Sequence, residues 1–117
     1  MAISEAKKEE IIDTFLVTKK KGSRLQITLR FQGRKAEADE VGKQNKRLSS
    51  SIDKLIAQSM RQWRGSASQI IADRKKGNAK LQASIKDIKV KKKVAENVVK
   101  ALGYIDDAIE TAAKLVA

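Results

Sequence analysis

Gln62-Trp63-Arg64-Gly65-Ser66-Ala67-Ser68 holds the chain's one tryptophan and separates two long amphipathic stretches. Glycine accepts the left-handed backbone that ends many helices, and a serine hydroxyl can satisfy free N–H groups at the start of the next. The segment therefore predicts an elbow, with one helix arriving from about Arg34 and another leaving from Ser66. On the arriving side Val41, Leu48 and Leu55 recur at seven-residue intervals, and Ile52 falls in the complementary register. Ile56, Met60 and Trp63 widen that stripe. Asn45 and Ser59 interrupt it, which suits a short bundle better than a two-stranded coiled coil. On the leaving side Ile70, Ile71, Leu81, Ile85 and Ile88 lead into Val98, Val99, Leu102, Ile105 and Ile109, a helical spacing. Lys75-Lys76-Gly77-Asn78 is the rival position for the elbow, because Gly-Asn weakens a helix without forbidding it.

Upstream of Arg34 the pattern changes. Ser4 suits an N-cap, with Glu5, Glu9 and Glu10 near a helix start, and Ile11, Ile12, Phe15 and Leu16 share one face. Lys19-Lys20-Lys21-Gly22 then reads as a basic last turn and a stop. Arg24-Leu25-Gln26-Ile27-Thr28-Leu29-Arg30-Phe31 alternates polar and apolar residues with period two, which predicts an extended segment at 24–31. The competing reading is a helix, since Leu25/Leu29 and Ile27/Phe31 are also i, i+4 pairs. The expected fold is thus mainly α. It is a single domain over 1–117, with an N-terminal extension at 1–26 and a long antiparallel helical hairpin at 27–117.

Composition narrows the chemistry. The chain has no Pro, Cys or His, 3% aromatic residues and a net charge of +12. Without Cys and His, zinc sites of the ordinary kind and the commonest bases and thiol nucleophiles are missing. The carboxylates are scattered and no glycine loop is built to cradle phosphate. A non-enzymatic protein without cofactor is expected. Residues 66–103 carry ten basic and three acidic groups, whereas 104–117 carry one and three. Lys86, Lys89 and Lys93 fall on one face of the second arm, and such a stripe can track phosphates with low sequence specificity. The N-terminus lacks the apolar core of a secretory signal, and no apolar run reaches the roughly 18 residues of a membrane span. A cytoplasmic protein is expected, with any export by a route that needs no such signal.

Trp63-Arg64-Gly65 between two helical arms resembles the turn of the WXG family of type VII secretion proteins, and Ser66-Ala67 is similar to that family's small-residue restart. The resemblance implies two long antiparallel helices that pair with a second copy or with the helical start of a larger effector. It also implies a C-terminal export signal of the form Tyr-x-x-x-Asp/Glu. In the corresponding region stand Leu102, Tyr104 and Asp106: the four-residue spacing to Asp106 starts at Leu102, and Tyr104 lies between them. The positive charge departs from the acidic character usual in that family.

The reading favoured by the sequence is a non-enzymatic module that binds a helical protein, with nucleic-acid binding as the alternative. A helical protein partner, or a homodimer, would cover an apolar surface formed by Leu48, Ile52, Leu55, Ile56, Ile85, Ile88, Val99 and Leu102, with Trp63 and Gly65 setting the turn. A nucleic acid would instead engage Lys86, Lys89 and Lys93.

Overall fold

The computed structural model describes residues 4–58, 63 and 65–116. Ser59, Met60, Gln62 and Arg64, which extend the stripe and the elbow in the sequence, lie outside the described residues. Four helices make up the fold: α1 (Glu5–Phe31), α2 (Lys35–Ala57), α3 (Ala67–Lys89) and α4 (Val94–Leu115). The mainly α expectation holds. The single long hairpin does not, because two shorter hairpins, α1–α2 and α3–α4, pack side by side.

Specific contacts fix the topology. Asn45 Nδ2 of α2 donates to the Lys19 carbonyl of α1 at 3.1 Å, and Arg30 reaches Asp39 at 3.4 Å, so α1 and α2 run antiparallel. Between α1 and α3 the partners advance together. Thr14 accepts from Asn78, Lys21 donates to Gln82 at 2.6 Å, and Gln32 donates to the Ile88 carbonyl at 2.7 Å. These two helices are parallel neighbours. α4 packs on α3 and α2, leaving α1 opposite α4 across the bundle. The result is a rod of 46 × 22 × 19 Å. Both hairpin turns, 32–34 and 90–93, lie at one end; the start of α1, Trp63 and the α4 C-terminus lie at the other.

The expected extended segment at 24–31 is helical, and so is the expected stop at Gly22. Leu25 and Leu29 are fully buried, whereas Ile27 and Phe31 are exposed on the outer side of α1. The period-two alternation was the sum of two opposite helix faces. Gly22 is needed for close packing instead of termination: a Cβ there would lie 2.5 Å from the Asn45 side-chain oxygen of α2. Asn45, which interrupts the apolar seam, thus fills the space that Gly22 leaves. From the stretch expected as an N-terminal extension, α1 contributes Ile11, Phe15 and Leu25 to the core.

The arriving helix ends at Ala57, with Gln58 extended, well before the expected stop at Gly65. Gly65 has φ of 105°, and Ser66 caps α3 by accepting from Gln69 N at 3.4 Å. Gly77 lies inside α3, so the rival elbow is excluded. The helix leaving from Ser66, whose apolar spacing leads on to Val98 and Leu102, breaks at residues 90–93. No glycine or proline signals that break: Lys91 and Lys93 themselves adopt φ of 60° and 43°. A non-glycine residue in this region costs about 1–2 kcal/mol.

Candidate nucleic-acid interface

The two turns at one end share a hydrogen-bonding pattern. At the end of α1, Gly33 N donates to the Arg30 carbonyl and Arg34 N to the Leu29 carbonyl, at 3.0 and 2.9 Å. At the end of α3, Lys91 N donates to the Ile88 carbonyl and Lys92 N to the Asp87 carbonyl, at 3.0 and 2.8 Å. These are matching Schellman-type closures. Gly33, with φ of 74°, and Lys91 occupy equivalent left-handed positions. The Gln32 amide bridges the two turns through the Ile88 carbonyl.

Placing the turns together concentrates charge. Residues 30–35 and 89–93 contain seven basic and no acidic residues. Arg34 is held by Glu37 at 2.6 Å and Arg30 weakly by Asp39 at 3.4 Å. Lys86, Lys89, Lys91, Lys92 and Lys93 are all exposed, and among the described residues none of them forms an ion pair. The starts of α2 and α4, at Arg34 and Lys93, have no side-chain cap. Both N-termini therefore keep free N–H groups and the positive end of the helix dipole beside the lysines. Two exposed apolar side chains sit among these charges: Phe31, 88% exposed, and Val90, 68% exposed.

Lys86, Lys89 and Lys93 are thus brought to one end, as the last turn of α3 and the residue before α4. Arg30, Phe31, Arg34 and Lys35 belong with them but escape a reading that ends the first helix at Gly22. The signal was available: if 24–31 is helical, Gln32-Gly33 is the next turn, and its flanking charges must lie at a helix end. Lys75, Lys76 and Lys80 are exposed farther down α3, but Arg74 is not part of that surface. It lies in the core, donating to Thr18 Oγ1 at 2.9 Å and stacking over the Phe15 ring at 5.5 Å. Burial pushes its pKa down, with Asp107 and Asp73 acting in the opposite direction. The same network includes Asn78, which donates to the Thr14 carbonyl at 3.0 Å. It ties α1 to α3 and presents nothing to solvent.

The apolar residues expected at a partner surface are distributed differently. Leu48, Ile52, Leu55, Ile85 and Ile88 are buried in the chain's own core, and Leu102 is half-buried at its edge. Only Ile56 and Val99 are exposed, toward opposite ends of the rod. Trp63 is 4% exposed, and Lys8 lies 5.2 Å from its ring centroid while donating to the Gln58 carbonyl at 3.0 Å. Gly65 serves the turn beside it. Tyr104 packs against the core in the middle of α4, and Asp106 accepts from Gln44 of α2 at 3.3 Å. Leu102, Tyr104 and Asp106 are therefore docked within the bundle.

Among the described residues no group of three or more His, Cys, Asp or Glu side chains gathers to hold a metal ion. No described helix is long and apolar enough to cross a membrane. Comparison with protein-family models, curated proteins and solved structures finds no match.

Proposed function

We propose that this protein is a non-enzymatic helical bundle that binds nucleic acid with low sequence specificity. Its basic end makes the phosphate contacts. One observation carries the reading: the adjacent turns 30–35 and 89–93 hold seven basic residues. Although Arg34 and Arg30 pair with Glu37 and Asp39, the four lysines of 89–93 form no ion pair among the described residues. Lysines without fixed partners suit a phosphate backbone, whose release of condensed counterions drives association. Among the described residues no helix projects a row of amide or guanidinium groups for a groove, so backbone contacts predominate. Pairing with a helical protein in the WXG manner finds less support, because the stripe that would be shared is spent on the bundle's own core. A nucleic-acid partner also suits the cytoplasmic placement expected from the sequence.

Fluorescence anisotropy with a labelled oligonucleotide tests the reading. Between about 50 and about 200 mM salt the affinity should fall steeply, log K varying linearly with log salt at a slope of about 0.9 per phosphate contacted. Replacing Lys89, Lys92 and Lys93 with Gln should weaken binding and lower that slope by about three. Binding that is indifferent to salt, or unchanged in this triple variant, contradicts it.

A further inference from the structure

Phe31 is the least explained apolar residue in the molecule. It ends α1 with 88% of its surface exposed, opposite the face that enters the core. Arg30 precedes it, and the next residue, Gln32, is hydrogen-bonded to the Ile88 carbonyl, immediately before Lys89. A largely exposed aromatic ring thus stands at the basic end, next in sequence to Arg30. Arg24, seven residues earlier on the same face of α1, begins a groove of about 260 Å³ between α1 and α3, lined also by Val17, Lys20, Lys21, Ile85 and Lys89 but not by Phe31 itself. Its charged side chains are all basic. Lys21 is positioned by its bond to Gln82 at 2.6 Å. Along α1 the distance from Phe31 to Val17 is about 21 Å at 1.5 Å per residue.

We infer that the basic end binds single-stranded nucleic acid, with an unpaired base stacked on Phe31 and the adjoining backbone laid along the α1–α3 groove over Lys89, Arg24 and Lys20. This rests on the nucleic-acid reading above and adds the strandedness of the ligand. A lysine-lined track joined to an exposed ring is the combination that favours single strands: the cations follow phosphates, and the ring needs a base face that a duplex keeps hidden. An anionic bilayer would also attract these charges. A basic groove on the Phe31 side of the rod, between α1 and α3, fits an extended polyanion better than a planar surface.

The test compares Kd values for a labelled twelve-nucleotide thymidine oligomer, an abasic oligomer of the same length and a duplex, using the full chain at one low salt concentration. The thymidine oligomer should bind tightest. Phe31→Ala should weaken it by about five- to 150-fold while leaving the abasic oligomer unchanged; Phe31→Tyr should restore most of the loss. Arg24→Gln with Lys20→Gln should weaken both oligomers. Because Phe31 is exposed, circular dichroism of Phe31→Ala should match the parent. Equal binding of thymidine and abasic oligomers, insensitivity to Phe31→Ala, or preference for the duplex overturns this inference alone. Failure to bind any of the three, or Phe31-dependent binding only to vesicles containing anionic lipid, overturns the nucleic-acid reading with it.

Discussion

The two ends of the rod are built by opposite rules. At the Trp63 end, local chemistry favours stability. Ser4 caps α1 by accepting from Lys7 N at 3.2 Å, Ser66 caps α3, and Trp63 is buried with Lys8 over its ring. At the other end α2 and α4 start from Arg34 and Lys93 without side-chain caps, and two lysines stand in left-handed backbone. Neighbouring lysines repel one another, and an uncapped start forgoes about 1 kcal/mol relative to Ser, Asp or Asn. An end made only for stability would carry Gly, Asn or Asp in the 89–93 turn too, as the 32–34 turn does with Gly33. The difference teaches that the 89–93 turn trades stability for positive charge, as binding sites often do.

Substitutions at each end should separate the two rules. The largest effect belongs to Trp63→Ala, which empties a buried aromatic site and should cost about 3–5 kcal/mol in denaturant unfolding. Its salt slope for oligonucleotide binding should match the parent wherever the variant remains folded. Lys91→Gly should do the reverse. By placing glycine where its counterpart Gly33 already stands, it relieves about 1–2 kcal/mol of backbone cost and should raise Tm. It also removes a cation, so affinity should drop and the salt slope fall by about one. A variant that is both more stable and weaker in binding is the signature of the trade. Unchanged affinity in Lys91→Gly would show that Lys91 touches no phosphate.

Smaller effects sharpen the contrast. Ser66→Ala should cost about 1 kcal/mol through its lost cap, without altering binding. Lys8→Ala should cost about 0.5–1 kcal/mol, from the cation–π contact with Trp63 and the bond to the Gln58 carbonyl. Equal losses of affinity from Lys8→Ala and Lys91→Gly would erase the distinction between the ends.

Much of the Trp63 end was legible in the sequence. Ser4 and Ser66 act through capping rules that operate within a few residues, and both cap as expected. Gly65 takes positive φ but does not end α2, which stops at Ala57. The α2 stripe of Val41, Leu48, Ile52 and Leu55 also enters the core. The basic end was only half legible, for two physical reasons. Gly22 resembles a helix stop, but its missing Cβ makes room for Asn45, a partner distant in sequence. The break at 90–93 uses lysines in a conformation that lysine does not favour, so tertiary packing and charge override local propensity there. Reading Leu25, Ile27, Leu29 and Phe31 as one strand hid the helix that carries Phe31 to this end. Once α1 is continuous, Lys86, Lys89 and Lys93 acquire Arg30, Arg34 and Lys35 as neighbours.

The most direct test is to map which backbone amides respond to a ligand. Isotope-labelled protein, titrated with the thymidine oligomer at low salt, should show NMR shift changes concentrated at residues 30–35 and 89–94. Weaker changes should extend along 17–24, while 5–12 and 65–70 stay still. Changes centred on the Trp63 end, changes spread evenly over the rod, or none at saturating oligomer would contradict the assignment of function to the basic end.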